Sequence, residues 1–394
     1  MRSRYHHISI ALPVMAELEN VPKLLELLRH QTFRDFDLYV CVNQPEDWWE
    51  FSDSDRRRQV CVENQEVLRI LKGVQDFPVI VLDKSSRGHG WQGSRHGVGW
   101  ARKLLFESIS AHCADDELVV SMDADIMFSD DYLLCLLQMV CRYPQAEALC
   151  LPYYHPLSGM TAMQRSLLRY ECYMRYYLIQ MLRIGNPYAF TAIGSAMAFP
   201  LWAYRRVGGI TPLQGGEDFY LMQKFAKTGT ILLPAEQSLC VFPQGRKSFR
   251  VPFGTGPAVA MGVEELSVRY PFYSAQAFDE VRDTFAMFPA LYEFDVETPM
   301  SKFLCSQLKV SDLWGALRRN FKRQDLFVRA CRERIDGLRI LQYLRSRPYS
   351  QEELFYEGQN VDFLSDSIAR LDSFRESLFK QEMMLREHQS MLGI

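Results

Sequence analysis

The chain is short of several features that would classify it quickly, and each absence narrows the choice. Its ten cysteines are scattered singly, with no C-x-x-C pair and no Cys/His cluster at zinc spacing. That pattern argues against a disulfide framework or a structural zinc site and for free thiols in a reducing cytoplasm. No window reaches the roughly eighteen uninterrupted apolar residues of a spanning helix, and the apolar run Ile8 to Val14 near the start is short for a signal peptide and carries Pro13. The expectation is a cytoplasmic protein that touches a membrane, if at all, peripherally from the inner face. Neither sign of charge dominates: 45 Lys and Arg stand against 48 Asp and Glu, a formal net charge of -3, so general nucleic-acid binding is not expected. There is no internal repeat, no low-complexity tract and no Walker or G-x-G-x-x-G motif. What remains, 48% hydrophobic and 24% charged over 394 residues, has room for one large α/β domain with an appended piece.

The alternation of elements supports that class. Ile8 to Val14 is β-rich; Asn20-Val21-Pro22 opens a helix with Leu24, Leu25, Leu27 and Leu28 on its apolar side; Phe36 to Val42 is a strand closing on Asn43-Gln44-Pro45. Strand, helix and strand within this span make a parallel βαβ unit. An acidic, aromatic excursion over residues 45–58 reads as a surface loop, followed by a helix to about Lys72 and a third strand, Phe77 to Leu82. Lys84 to Gly99 has five glycines in sixteen residues, with Arg87, Arg95, His89 and His96 among them, and should be mobile. Ahead of the helix Val98 to His112, it can wrap phosphates against a helix N-terminus or be an ordinary flexible loop. Strands follow over Ala146 to Pro152 and Tyr188 to Phe199. From about Gly256 strands give way to helical segments, with Val251 to Pro257 as the hinge, so the division expected is 1–255 and 256–394.

The stretch that organises the rest is Asp115 to Ile126, where the apolar run Leu118, Val119, Val120, Met122 stops on Asp123-Ala124-Asp125. A buried central strand ending in two carboxylates places them at the sheet end that faces the ligand crevice, where hard oxygen ligands suit Mg²⁺ or Mn²⁺. A solvated turn is the plain alternative. Gly215-Gly216-Glu217-Asp218 opens a later helix, with its carboxylates at the positive end of the dipole; capping alone would also explain them.

Taken in order, Pro13 and Glu17 after the first strand, Asn43 after the second, Gly99-x-Ala101-Arg102, Asp123-Ala124-Asp125, Gly208-Gly209 and Gly216-Glu217-Asp218 resemble the family 2 glycosyltransferases of GT-A fold over roughly residues 6–245. The resemblance implies an α/β fold with a mostly parallel central sheet flanked by helices, here followed by a C-terminal α-helical extension. It also implies a nucleotide-diphospho-sugar donor, UDP favoured, a divalent metal (Mg²⁺ or Mn²⁺), and sugar transfer with inversion to a hydroxyl acceptor on a glycan or a lipid-linked saccharide. Residue by residue, Asp125 matches the direct metal ligand, with Asp123 nearer the ribose and the metal's waters. Pro13, Glu17 and Asn43 match nucleotide-binding positions, Arg102 the arginine that holds phosphates or the adjoining loop, Asp218 the acceptor-side base, and Glu217 a residue that binds the acceptor or braces the loop. The chain departs from the pattern at Ala16, where the family has Asn, at Asn43 and Gln44, where it has acidic residues, and at Lys103. Gln244-Gly245-Arg246 only faintly matches the Q-x-x-R-W of processive members. Histidines in loops, His155 included, read as polar surface rather than metal ligands.

Two rival readings fit the residues less well. A sugar-phosphate nucleotidyltransferase would carry a Gly-rich basic loop directly after strand one, where this chain has PVMAELEN. A catalytically silent nucleotide-sugar-binding protein would have no need of both carboxylate motifs. Residues 313–347, with ten basic residues against three acidic ones and interleaved Leu and Phe, read as amphipathic and suited to anionic lipid or an anionic acceptor, or as the solvated face of a packed helix.

Overall fold

In a computed structural model, residues 5–247, 254–350, 353–356 and 358–391 are described; part of the expected hinge, residues 251–253, lies outside them. The chain divides into two compact units, Met1–Leu167 with Phe190–Ala260 and Arg386–Ile394, and Leu168–Ala189 with Met261–Leu385.

The first unit is α/β, as expected. In chain order its elements are β1 (Ile8–Val14), α1 (Val21–Arg29), β2 (Phe36–Asn43), α2 (Arg56–Lys72), β3 (Val79–Lys84), α3 (Val98–His112), β4 (Leu118–Ser121), β5 (Ile126–Met127), α4 (Tyr132–Arg142) and β6 (Ala148–Cys150). There follow α5 (Thr161–Arg183), which the division into units splits after Leu167, then β7 (Met197–Pro200), α6 (Leu201–Arg206), α7 (Glu217–Thr228), β8 (Ile231–Leu232) and β9 (Phe242–Pro243). Seven strands form one sheet in the order β3-β2-β1-β4-β7-β6-β8, parallel except at β7, which runs antiparallel to both neighbours. β1 and β4 are buried at every position, which is why both read as unbroken apolar runs instead of alternating ones. The edge strand β3 is half-buried throughout.

Register decides where the site lies. Ser121, the last residue of β4, pairs with Ala11, while β1 runs on to Val14 beside β2. The loop carrying Glu17 and the turn carrying Asp123 and Asp125 therefore leave the sheet at the same, carboxyl end.

Three details depart from the sequence reading. The excursion after β2 contains a 3₁₀ turn, Glu46–Glu50. Tyr188 to Phe199 is strand only at its end. Asn20 precedes α1 without capping it, because its side-chain amide goes to Glu17 Oε2 at 2.6 Å.

The second unit is mainly helical, including Ala275–Ala286, Pro299–Leu308, Gln324–Arg334 and most of Ile368–Met391. Two small antiparallel pairs, Phe272–Tyr273 with Tyr349–Ser350 and Glu353–Tyr356 with Gln359–Asp362, interrupt it. Pairs of two to four residues leave no periodic signal to read. Its core holds charge as well as apolar groups: Arg175 lies between Glu171 and Glu382, at 2.6 Å from each, and Arg375 reaches Glu171 at 3.1 Å. Guanidinium forks that satisfy carboxylates from several directions are what make such burial tolerable.

Candidate active site

The site is assembled by close backbone approaches that only glycine allows. A Cβ on Gly99, in the first turn of α3, would collide with the backbone carbonyl of Leu213, so the start of α3 lies directly against the loop that leads into α7. Gly216, at φ +80, turns the chain into α7 and leaves Glu217 and Asp218 in its first turn.

Arg102, one turn into α3 and almost fully buried, is the hub. Its Nη1 donates to Glu217 Oε1 and its Nη2 to Asp123 Oδ1 at 2.7 Å. Three motifs far apart in sequence thus meet on one guanidinium. Gly194, in the segment before β7, covers it so closely that a Cβ there would overlap the guanidinium. Burial works against the charge on Arg102, but Asp123, Glu217 and Asp218 outweigh it and hold the group above its ordinary pKa.

Asp218 has the opposite balance. Burial, and then the charge of neighbouring Glu217, push its carboxyl up to about 7, against the pull of Arg102 and a 2.8 Å hydrogen bond from the Phe219 N–H to Oδ1. One carboxylate of the pair is spent on Arg102; the other is poised near neutrality.

A second cluster involves the other aspartate. Arg246 Nε donates to Asp125 Oδ2 at 2.9 Å, and its Nη2 donates to Glu17 Oε1. Glu17 is buried and also accepts from Asn20. Pro13 is buried within β1. Asn43 is buried at the end of β2; its amide donates to Val14 O at 2.9 Å and its oxygen accepts from Trp91 Nε1 at 3.2 Å. Thus Arg102, Asp123, Glu217 and Asp218 form one group, Glu17, Asp125 and Arg246 a second, and Asn43 lies beside them with its side chain held by the fold.

Some of this was beyond sequence reasoning. Arg246 had only the faint Q-G-R match, Trp91 only its place in the Gly-rich segment, and Gly194 no signal. The Gly-rich loop is pinned: Glu46 accepts from the N–H groups of Gly88 and Gly90, each at 2.7 Å, and Trp91 bonds through its own N–H and C=O to Gln44 and Glu46. A carboxylate of the chain itself occupies these two N–H groups. His155 is fully buried, not polar surface, packed edge-on to Tyr153 with Nε2 3.3 Å from Thr255 Oγ1.

Among the described residues no three His, Cys, Asp or Glu side chains converge as a metal cage. Mg²⁺-type ions are commonly held by one or two carboxylates and completed by phosphate and water, and Asp123 and Asp125 fit that mode. The Asp123 side chain is 37% exposed and keeps one oxygen beyond its bond to Arg102.

No protein-family model and no curated protein matches the chain. Solved structures similar to it include TarS of S. aureus, residues 1–349 in complex with UDP, at 10% identity and a TM-score of 0.40, covering 90% of this chain and 96% of that one. Another is the mannosyltransferase PcManGT of Pyrobaculum calidifontis in complex with GDP-Man and Mn²⁺, at 12% identity and TM-score 0.38 over 97% and 84% of the chains. Mouse xyloside xylosyltransferase 1 in its apo form follows at 13% and 0.29, over 58% and 84%. The second and third are glycosyltransferases by name.

Proposed function

We propose that the protein is an inverting, metal-dependent glycosyltransferase of the family 2 type, moving a sugar from a nucleotide-diphospho-sugar, UDP favoured, to a hydroxyl on a glycan or a lipid-linked saccharide. The observation that carries the reading is the convergence of Asp123 of the D-x-D, the buried Arg102 and the Gly-Glu-Asp motif at the carboxyl end of β4, with Asp218, the carboxylate of that last motif not bonded to Arg102, raised to about 7.

In the chemistry this supports, Asp218 accepts the acceptor hydroxyl's proton as that oxygen attacks the anomeric carbon. The new carbon–oxygen bond forms on the face opposite the leaving group, the bond to the diphosphate breaks, and the nucleoside diphosphate departs with the electron pair. A carboxyl near 7 is a useful base at neutral pH, since it is partly ionised yet basic enough to take a proton. A divalent ion held by Asp123 and Asp125 would supply positive charge to the leaving diphosphate. Arg102 fixes Asp123 and Glu217, so Asp218 is carried on a braced helix start. Glu17 and Pro13, at the carboxyl end of β1, would serve the nucleotide-binding loop. Asn43 would then act through the local framework, because its polar atoms already bond to Val14 and Trp91.

The test is a panel of UDP- and GDP-sugars, scored first for Mn²⁺-dependent binding and then for release of nucleoside diphosphate and for transfer. Asp218→Asn keeps the size of the side chain but cannot take the proton. Transfer should fall by roughly 10²- to 10⁴-fold while donor affinity stays nearly unchanged. A mutant that transfers at close to the wild-type rate would assign the base elsewhere.

A further inference from the structure

Arg246 already sits on the carboxylate that the proposed function gives to the metal. Its guanidinium bridges Asp125 Oδ2, at 2.9 Å from Nε, and Glu17, so it joins the second aspartate of the D-x-D to the loop after β1. We infer that Arg246 is a counter-ion of Asp125 in the metal-free protein, and that a divalent ion takes its place tightly only together with the donor's diphosphate, which receives the displaced guanidinium. This rests on reading Asp123 and Asp125 as the donor-side metal ligands.

The mounting of Arg246 favours exchange by rotation of a side chain over movement of a loop. β9, just before it, pairs with β5, just after Asp125, with Ile126 opposite Pro243 and Met127 opposite Phe242. The Gln244 N–H donates to the Asp125 carbonyl at 3.1 Å. Gly245 lies so tightly on Leu167 that a Cβ would overlap its side chain. The backbone of residues 242–246 is therefore tied to the D-x-D, whereas the Arg246 side chain is 34% exposed and long enough to swing out. Its two partners are far more enclosed, at 6% exposure for Glu17 and 17% for Asp125.

Electrostatics set the order of events. An ion bound to Asp125 at the usual distance of about 2 to 2.6 Å would lie within a few ångströms of the guanidinium and be repelled by it. The ion alone must displace Arg246 into water with no new partner for it. With the diphosphate present the repulsion is offset, and the planar fork gains phosphate oxygens that it can hold in bidentate fashion. Metal and nucleotide should then bind with positive coupling, and linkage requires that coupling to be the same in either order.

The experiment titrates Mn²⁺ into the full-length protein by calorimetry, with and without UDP or GDP, for wild type, Arg246→Gln and Arg246→Lys, after circular dichroism and thermal unfolding show each variant folded. Wild type should bind Mn²⁺ weakly alone and much more tightly with the nucleotide. Arg246→Gln should bind Mn²⁺ alone about tenfold or more tightly than wild type, as expected for removing one charge-assisted pair, and should gain less from the nucleotide. Arg246→Lys, which keeps a charge, should stay close to wild type. Arg246→Gln binding Mn²⁺ alone no more tightly than wild type overturns the inference. So does a wild type that binds Mn²⁺ equally well with and without nucleotide, a result that needs no variant to fold. If wild type binds no nucleoside diphosphate in the presence of Mn²⁺, the donor-site reading itself fails.

Discussion

Among single residues, Asp218 carries a cost that can be measured apart from catalysis. Its carboxyl is raised to about 7 in the folded protein by burial and by Glu217, from an ordinary value of 3.8. Between those values the folded state binds more protons than the unfolded chain, so this residue's contribution to stability declines as pH rises through the window. Asp218→Asn removes the ionisation. The mutant should melt at a higher temperature than wild type at pH 8, and the difference should shrink toward pH 5, where Asp218 is protonated in the native protein. Thermal unfolding at the two pH values is the measurement; an equal or inverted difference would mean that Asp218 is not held above its ordinary value. Raised activity of an acid-base group at the expense of stability is a common trade at working sites. In wild type the transfer rate should correspondingly fall as pH drops below about 7, because the base must be unprotonated to act.

For whole elements, the Gly-rich loop between β3 and α3 shows where a sequence misleads. Five glycines suggest mobility, and an acidic, aromatic excursion 40 residues earlier suggests a separate surface loop; neither segment names its partner. In the fold Glu46 clamps the Gly88 and Gly90 amides, and Gly90 lies directly on the Glu46 backbone. Glu46→Ala should speed hydrogen exchange of residues 88–91 by about tenfold or more, since charge-assisted bonds contribute more than neutral ones. Unchanged exchange would mean that the clamp does not restrain the loop. Much else at this scale was legible. α3 spans Val98 to His112 as expected, and the buried strands stand out because a strand covered on both faces is an unbroken apolar run. The D-x-D and the Gly-Glu-Asp motif were legible as carboxylates on element ends. Their joining through Arg102 was not, because it depends on Gly99 lying against Leu213 and Gly194 against the guanidinium, contacts between segments some 90 to 115 residues apart.

Over the whole molecule, a net charge of -3 leaves electrostatic recognition to local surfaces, and the second unit holds the most basic stretch, residues 313–347. As one amphipathic helix it would lie in a lipid surface with its apolar side chains inserted. Instead it folds as three short helices, Gly315–Asn320, Gln324–Arg334 and Gly337–Arg345, that bury Leu313, Trp314, Phe327, Ile335, Ile340 and Leu344. Several of its cations are already paired, Arg318 with Asp295, Arg323 with Asp325, Arg329 with Glu333 and Arg347 with Glu280, while Arg319, Lys322 and Arg332 stay exposed. Its apolar groups are mostly spent on the unit's own core, so of the readings open to this stretch a contact with anionic lipid would be electrostatic, without insertion. Such a contact is screened within a Debye length of about 8 Å at physiological ionic strength. The protein should therefore co-sediment with phosphatidylserine-containing vesicles at low salt, come off as salt is raised to a few tenths molar, and ignore neutral vesicles. Arg319→Glu with Lys322→Glu should weaken the low-salt binding. Retention on neutral vesicles or at high salt would require apolar insertion and contradict the packed arrangement, whereas no binding at low salt would remove the membrane from the list of partners.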